Sequence, residues 1–478
     1  RCRRKAWLDR HGDVNQRRWT AHRNLLLDDQ QRSFVALLPH KPGHGVAACA
    51  AGEDGVVGLR LKGAGPSGER VEAHPPLLLR VAGQSRWGSF AYQPVLARQG
   101  RRITREHQLP LALMGHLLEA FQAGPVLELL VLGGGGRRLE RERIRLTSGL
   151  RKQLSEALRK LKADLERPQP PSLAADRRKC TLCSWRESCS RVAAADGHLS
   201  EVSGIGAKRR DMLQELGIHG LNDLASANPE RLAVEMERFG EQHGDVARAL
   251  VAQAMAQRDG LVERLDGTLA LPELQGAPGV LLYDIESDPD ARHDFLHGFL
   301  RLPRQRDGRW DLAAATYHPL LVLAEHGEQR SWLRLQCLLS RYDGWPILHY
   351  GETETLSLRR LAQRQGASDA ELRRLKRRLV DVHARIRSHW RLPLSSYGLK
   401  SVAAWRGFRW SQSGVDGARA LLWWRQWLGE GPKRRGSRHG LAWIFRYNQD
   451  DCRATWAVAE WLLKEDELLE TGPVFDQP

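Results

Sequence analysis

Two acidic side chains follow an apolar run in the second half of the chain. Asp284 and Glu286 come directly after residues 280–283, and turn-forming residues bound the segment on both sides. A short apolar run with such boundaries predicts a buried strand, on which side chains two apart share a face. Two carboxylates held together away from water repel each other unless cations lie between them, so the spacing favours a divalent metal site. An acidic turn after a core strand is the alternative for this motif alone.

A phenol and two further acids occur later in the chain. Tyr447 and Asp451 are four residues apart, which places both on one face of a predicted helix. Glu354 lies between a strand predicted at residues 345–350 and a helix predicted at 355–364, and such junctions host sites in open sheets. We expect these three side chains to face the acidic pair on the strand.

Other acids compete with this assignment. Asp450 is an alternative to its neighbour as the last acid, although the four-residue spacing from the phenol disfavours it. Asp381 lies in an apolar context and is expected to support the site or to cap a helix.

The elements around these residues form an α/β pattern. Further strands are predicted at residues 295–300 and 311–316, and a stretch rich in Pro and Gly at residues 261–279 predicts a linker before them. The whole chain divides into three predicted regions, at about residues 1–192, 196–262 and 278–472.

Composition indicates a polyanionic partner. The chain has 478 residues, 41% of them hydrophobic, and 74 Lys and Arg against 57 Asp and Glu give a formal charge of +17. Such a balance favours nucleic acid. No apolar stretch approaches the roughly 18 to 20 residues of a membrane span and no signal peptide is visible, so we expect a cytoplasmic protein without a membrane partner. The sequence begins at Arg1 rather than Met, and we expect residues to precede it.

Three of the seven cysteines are clustered. Cys180, Cys183 and Cys189 form a C-x2-C-x5-C run, and Cys2, in a basic segment containing Trp7, is the candidate for a fourth ligand. Thiolates at this spacing suit either a [4Fe-4S] cluster or structural Zn²⁺, and the spacing leaves both open. Such a site would join the two ends of the first region. Independent buried cysteines are the alternative.

The second region contains a segment typical of phosphate binding. Gly204 and Gly206 allow a tight backbone turn, and unpaired amides at the start of the following helix would bind a phosphate. Lys208, Arg209 and Arg210 add charge without reading sequence. The segment resembles a helix-hairpin-helix motif, and an ordinary helical hairpin is the alternative.

The first region resembles the RecB-like nucleases with an iron-sulfur staple, a branch of the PD-(D/E)xK fold. The resemblance rests on Cys-Arg-Arg-x-x-Trp-Leu-Asp at residues 2–9 and on the cysteine run. In that family, acidic residues hold the catalytic metal, but the matching positions here carry Leu77 and Leu96, and Arg98 replaces the Lys. In that family a Gln on the following helix supports the metal, and of these motif positions only this one is matched, by Gln108. Because aliphatic side chains cannot bind a hard cation, this region is expected to be a degenerate nuclease kept for binding or structure.

The third region resembles the RNase H-like exonucleases of the DEDD type, in their tyrosine-containing subgroup, and specifically the YprB-like ribonuclease H domains. Asp284 and Glu286 match the first motif, Glu354 the second acid with Glu in place of the commoner Asp, and Tyr447 with Asp451 the Y-x-x-x-D motif. The resemblance implies phosphodiester hydrolysis by two Mg²⁺ or Mn²⁺ ions, with the Tyr orienting the water and 3′ to 5′ polarity. The longer Glu would bind its ion through water.

Together the three regions resemble bacterial predicted nucleases of the RecB family. The expected fold class is multidomain α/β, with a RecB-like α/β nuclease fold, a small helical helix-hairpin-helix domain, and an RNase H-like mixed sheet with flanking helices. The resemblance implies a metal-dependent exonuclease acting on DNA, or on RNA, with the first two regions gripping the substrate. The alternative is a non-catalytic nucleic-acid-binding scaffold, in which Glu354 marks a third region that has decayed like the first.

Basic runs and Trp residues offer weaker signals. The runs at residues 373–378 and 433–439 could follow a phosphate backbone, although a charged helix face is usually only solvated. Trp423 and Trp424 could stack on bases, but core packing is the commoner fate of Trp.

Overall fold

The structure is a computed structural model that describes residues 2–99, 103–134, 140–174, 177–289, 291, 293–429 and 439–471. The chain forms two compact units. Unit 1 comprises Arg1–Ala174 and Lys179–Cys189, and unit 2 comprises Ala175–Arg178 and Ser190–Pro478. Within the described ranges, no helix combines the length and the apolar character that crossing a bilayer requires.

Unit 1 is an α/β structure built on one sheet. Its elements in chain order are α1 (Arg3–His11), α2 (Ala21–Leu37), β1 (Gly43–His44), α3 (Gly45–Ala51), β2 (Gly55–Val57), β3 (Leu61–Ala64), β4 (Arg70–Ala73), β5 (Leu77–Ser85), β6 (Gly88–Gln99), α4 (Arg105–Gln122), β7 (Glu128–Gly134), β8 (Glu140–Arg145) and α5 (Ser148–Leu165). The next helix, α6 (Arg186–Ala195), begins in unit 1 and ends in unit 2.

The six strands of this sheet have the order β1-β2-β5-β6-β7-β8, and β3 and β4 form a separate hairpin. On β5, Leu77 is fully buried in the core beneath the sheet and lies opposite Val95 of β6. Leu96 packs against the core on the other face. The two positions at which the resemblance would require carboxylates are therefore apolar packing positions.

The two ends of unit 1 are held together by side chains of its first helix. Arg3 forms an ion pair with the buried Asp164 of α5, and the Trp185 indole donates to Asp9 Oδ1 at 2.8 Å. Trp7 Nε1 donates to the Arg167 carbonyl at 2.9 Å. The bonds to Asp164 and Asp9 are charge-assisted and therefore stronger than neutral ones, and all three bonds fix α1 against the C-terminal part of the unit.

Unit 2 begins with a helical segment. Its helices are α7 (Ala207–Glu215), α8 (Leu221–Ala225), α9 (Pro229–Glu237), α10 (Glu241–Gly244) and α11 (Ala247–Asp259). They bury one apolar cluster that includes Leu199, Leu213, Leu224, Met236 and Ala254.

The rest of unit 2 is a second α/β structure. Its elements are β9 (Glu263–Arg264), β10 (Gly279–Asp288), β11 (His293–Pro303), β12 (Thr316–Leu321), α12 (Gly327–Arg341), β13 (Ile347–His349), α13 (Glu352–Arg364), α14 (Asp369–Arg378), β14 (Leu379–Asp381), α15 (Val382–His389), β15 (Trp390–Arg391), α16 (Leu399–Trp405), α17 (Gly417–Gly429) and α18 (His439–Thr471).

The five-stranded sheet of this part is mixed. Its order is β12-β11-β10-β13-β14, with antiparallel pairing from β12 to β10 and parallel pairing from β10 to β14. Side chains alternate along β10, so Leu282 packs with α15, α16 and α18 on one face, whereas Tyr283 packs with α12, α13 and α14 on the other. The central strand is thus buried on both sides, as its continuous apolar run predicted.

Two sequence predictions about local structure were wrong. Residues 311–316 do not form a strand, which begins only at Thr316, because Asp311 accepts the Ala314 amide at 3.0 Å and closes a turn. Residues 261–279 are not a free linker either. Leu271 and Leu274 are buried in the core, and Asp466 accepts the Ala270 and Leu271 amides.

The basic run at residues 373–378 is partly structural. Arg378 donates to the carbonyls of Leu339, Tyr342 and Trp345, which end α12 and the loop after it, and Arg374 pairs with Asp343. These two cations are therefore engaged within the protein. The second basic run falls on residues 433–438, which lie outside the described residues, and on His439.

Candidate active site

Two carboxylates project from the same face of the central strand. Asp284 and Glu286 lie near the carboxyl end of β10, and the register with β11 shifts directly after Glu286. A bulge at this point bends the strand and locally disrupts the pairing, which resumes with Ser287 opposite Asp294. The strand therefore presents both acids beside this bulge.

Helix α18 brings a third carboxylate to this pair. Asp284, Glu286 and Asp451 each offer a ligand atom within 4.8 Å of the others. Tyr447 is one turn earlier on α18, is buried, and shares a hydrogen bond with Asp451. Among the described residues, this is the only group of three or more His, Cys, Asp or Glu that meets this spacing.

Burial and repulsion between neighbouring charges disfavour the ionised forms of the three acids. Burial raises the pKa of Asp284 and of Glu286 well above the usual carboxyl value, and the charge of Asp451 raises both further. Burial also raises the pKa of Asp451, while a hydrogen bond from Trp410 and the charge of Lys400 oppose that rise. A divalent cation between the carboxylates would relieve both the repulsion and the desolvation.

Glu354 lies in the first turn of α13, directly after β13. It is not a member of the 4.8 Å group, but burial raises its pKa to about 7, and the charges of Asp381 and Asp451 contribute. Within the described part of the chain, its buried Oε2 has no hydrogen-bond partner. Since its charge in turn raises the pKa of Asp284, Glu354 lies near enough to the cluster to interact with it electrostatically.

The competing acids have other partners. Asp450 Oδ2 accepts from the amide and the hydroxyl of Ser411, at 2.8 and 2.6 Å. Asp381 caps α15 by accepting the Ala384 amide at 3.2 Å, and it also accepts the Gly351 amide at 3.0 Å. Asp381 therefore supports the loop that precedes Glu354.

A chain of two hydrogen bonds, here called the amide relay, links Asp284 to Tyr317 through Asn448. It was not predicted from the sequence. Asn448 Nδ2 donates to Asp284 Oδ2 at 2.6 Å, and the Tyr317 hydroxyl donates to Asn448 Oδ1 at 2.8 Å. Because a carboxylate only accepts, the amide must present its nitrogen to Asp284. Gly298, paired with Asp284 across the strands, makes room for it, since a Cβ there would lie 1.6 Å from Asn448 Oδ1.

We expect Asn448→Leu to weaken Mn²⁺ binding by about 10- to 100-fold, because partners that orient metal-binding carboxylates have effects of this size. The Leu variant loses the donor to Asp284 at similar volume. Tyr317→Phe is the matched control, since it removes only the hydroxyl that orients the amide, and its effect should be smaller. Mn²⁺ titration followed by electron paramagnetic resonance measures both. Unchanged affinity in the Leu variant would contradict the orienting role.

A lysine and a tryptophan complete the surroundings of Tyr447. Lys400 Nζ lies 5.1 Å from the centroid of the Tyr447 ring and 6.0 Å from that of Trp410. The Trp410 indole donates to Asp451 Oδ1 at 2.6 Å. Since Lys400 is exposed and its charge lowers the pKa of Asp284, Glu286 and Asp451, it is a cation at the mouth of an acidic site.

The raised pKa values make stability depend on pH. The folded metal-free chain binds more protons than the unfolded chain between the ordinary value of 4.5 and the value of about 7 for Glu354. The free energy of unfolding contributed by this group therefore falls as pH rises through that window, and the raised pKa values of Asp284 and Glu286 act in the same direction.

We therefore expect a lower melting temperature in EDTA at about pH 8 than at about pH 5.5, and a larger gain on adding Mn²⁺ at the higher pH. The variant Asp284→Asn/Glu354→Gln is the control, because it removes two of the titrating groups. Differential scanning calorimetry of both proteins makes the comparison. Parallel pH profiles would show that these acids do not titrate as described.

The comparison with protein families agrees with this geometry. Residues 281–463 match the family model of the RNase H superfamily. The chain thus carries an RNase H-like domain, and the matched segment contains the acidic cluster, Glu354 and Tyr447. The RNase H superfamily typically hydrolyses nucleic acids with divalent metal ions, so the match supports a nuclease-type hydrolase with a nucleic-acid substrate.

Comparison of the chain with curated proteins and with solved structures gave no match. The RNase H-like match does not extend to unit 1 or to helices α7–α11. The resemblances of those parts remain predictions.

Proposed function

We propose that the RNase H-like domain is a metal-dependent exonuclease that removes nucleotides from the 3′ end of DNA, or of RNA. The convergence of Asp284, Glu286 and Asp451 beside Tyr447, within the matched segment, carries the proposal. The direction of hydrolysis rests on the resemblance to the tyrosine-containing DEDD-type exonucleases. The excess of Lys and Arg over Asp and Glu in the chain agrees with a polyanionic substrate.

The donor set fits hard divalent cations. Three carboxylates within 4.8 Å offer only oxygen ligands, which Mg²⁺ and Mn²⁺ prefer. Glu354 supplies a fourth, and its Oε2 has no other partner among the described residues. We assign the ions to Asp284, Glu286 and Asp451, with Glu354 completing the second position directly or through water. When bound, two such ions activate the attacking water and stabilise the leaving oxygen.

The protein's own groups position the reactants. Burial raises the pKa of Tyr447 above its usual value, so the phenol stays neutral and can hydrogen-bond the attacking water. Trp410 and Asn448 hold Asp451 and Asp284 in place. In the overall step, a P–O bond forms to water and the P–O3′ bond breaks. The leaving 3′ oxygen takes up a proton, and water loses one, giving a nucleoside 5′-monophosphate and a shortened strand.

Hydrolysis of end-labelled strands tests this function. With Mg²⁺ or Mn²⁺, a 5′-labelled strand should give a descending ladder, and a 3′-labelled strand should release labelled mononucleotide from the start. Single-stranded and duplex DNA and RNA should be compared, with Asp284→Asn as the inactive control. Equal cleavage by both proteins, or cleavage by neither, would overturn the proposal.

A non-catalytic scaffold is the second candidate, and the position of Glu354 outside the 4.8 Å group favours it. In that case, the wild-type chain and the Asp284→Asn variant would bind nucleic acid with the same affinity, and the wild type would cleave none. The ladder assay with a parallel binding measurement separates the two functions.

For unit 1, we propose a metal site at Cys2, Cys180, Cys183 and Cys189 that holds a [4Fe-4S] cluster, with Zn²⁺ as the alternative. The charges of Cys183 and Cys2 both act on the Cys189 thiol, which supports their proximity. A colourless, iron-free protein after anaerobic purification would contradict the cluster.

For the helical segment of unit 2, we propose phosphate binding at the start of α7. Gly204 has a φ of 91°, which favours Gly, and Gly206 precedes α7 without a side-chain cap, which leaves the first amides available. Lys208 is exposed, whereas Arg209 donates to the Gly204 carbonyl and Arg210 pairs with Asp211. The contribution of Lys208 to binding should therefore exceed that of Arg210.

A further inference from the structure

A pair of tryptophans lies on the surface one helical turn before Tyr447. The Trp443 side chain on α18 is 45% exposed, and its ring centroid lies 5.3 Å from that of Trp423 on α17, with the planes tilted by 45°. Trp424, next in sequence on α17, is instead buried and stacked on Phe295. Core packing therefore explains Trp424, but it leaves the large exposed surface of Trp443 without a structural role.

The exposed ring is close to the acidic cluster along the helix. Trp443 and Tyr447 are four residues apart on α18, so they share a face and differ by about 6 Å along the axis. Tyr447 and Asp451 on this face meet the acids of β10. A strand that reaches the acids along this face therefore passes the Trp443 ring.

Cations accompany the aromatic surface. The Arg419 guanidinium lies 5.5 Å from the Trp423 centroid, and Lys400 Nζ lies 5.1 Å from that of Tyr447. Aromatic faces interleaved with cations suit a ligand that carries both planar rings and phosphates. The charge pattern selects nucleic acid as the occupant.

We propose that Trp443, supported by Trp423, is a base-stacking platform for the unpaired end of a nucleic-acid strand, with Arg419 and Lys400 contacting its phosphates. This inference rests on the proposed function and adds the form of the substrate. Bases within a duplex are already stacked on each other, so only an unpaired strand offers a free base face to the ring. Stacking tolerates every base, so the platform favours single strands without reading sequence.

Binding of labelled single strands to the full chain tests the platform. Hydrolysis is blocked by Asp284→Asn, and Trp443→Leu is compared with Trp443→Phe in that background by fluorescence anisotropy. We expect Leu to weaken binding by about tenfold and Phe to restore most of it, since stacking needs an aromatic face. Blunt duplex should bind all three proteins alike.

An abasic site moved stepwise from the 3′ end supplies the matched control. The difference in affinity between the protein with Trp443 and the Trp443→Leu variant should vanish when the missing base is the one that stacks on the ring. It should persist at the other abasic positions. Unchanged affinity in the Leu variant would overturn the platform. Equal losses with Leu and Phe, independent of the abasic position and accompanied by a lower melting temperature, would also overturn it, because the ring would then pack against this chain. If the wild type cleaves nothing but this binding pattern holds, only the exonuclease proposal fails.

Discussion

Asp284→Asn is expected to reduce phosphodiester hydrolysis by at least about a thousandfold, since the charge stabilisation that bound metal supplies is worth several kcal/mol. Asp284 is the one acid whose pKa is raised by each of the other three, so it occupies the centre of the repulsion that a cation would relieve. Asparagine keeps the shape and can still accept the hydrogen bond from Asn448, but it removes the charge. Initial rates on a labelled single strand with Mg²⁺ measure the loss.

Asp450→Asn is the matched control for this loss. Asp450 is adjacent to Asp451 on α18, but it accepts from Ser411, and asparagine can retain that bond. Its rate should stay near that of the wild type. A comparable loss in both variants would show that acidic charge in general, rather than the cluster, governs the rate.

Glu354→Gln should change activity and stability in opposite directions. Without metal, the displacement of the Glu354 pKa from 4.5 to about 7 corresponds to a cost of about 3 kcal/mol once the group is ionised. Gln cannot ionise, so the metal-free variant should be more stable by about 1 to 3 kcal/mol at about pH 8. Hydrolysis should nevertheless fall about 100-fold, because the proposed second ion would lose a ligand.

Urea unfolding in EDTA measures the stability of the variant, and the cleavage assay measures its activity. Glu354→Asp serves as the control, because it keeps the charge and shortens the side chain. Asp is also the commoner acid at this position in the DEDD-type exonucleases that the domain resembles. Greater stability without loss of cleavage would mean that Glu354 does not contribute to metal binding. Loss of both stability and cleavage would mean that it supports the fold instead.

Local spacing carried much of the information about this site. The alternation of Asp284 and Glu286 on a strand and the four-residue spacing of Tyr447 and Asp451 on a helix are set by backbone periodicity, and the structure has both elements. Glu354 could be predicted as a site residue because it lies at a strand-to-helix junction. Its distance from the cluster could not be predicted, because it depends on how α13 crosses the sheet, which local sequence does not determine.

The amide relay lay beyond reach for a related reason. Asn448, Tyr317 and Gly298 come from three separate elements, and their contact depends on the register of β10, β11 and β12. Likewise, the packing of residues 261–279 depends on Asp466, almost 200 residues later. Composition indicated a linker there because Pro and Gly punctuate the stretch, but tertiary contacts decided its structure.

The arrangement of unit 1 agrees with a binding or structural role. Leu77 and Leu96 belong to its cores, so restoring a carboxylate at either position would bury an unpaired charge rather than recreate a site. Catalysis is therefore proposed only for the RNase H-like domain.

The most direct test of this proposal is an anomalous diffraction map of crystals of the full chain grown with Mn²⁺. If the domain is a metal-dependent nuclease, this map should show manganese in contact with the carboxylates of Asp284, Glu286 and Asp451, with Glu354 turned toward a second ion. The same map from Asp284→Asn should lose this signal. A wild-type map with no manganese at these carboxylates, at a concentration that saturates hydrolysis, would contradict the metal-dependent nuclease.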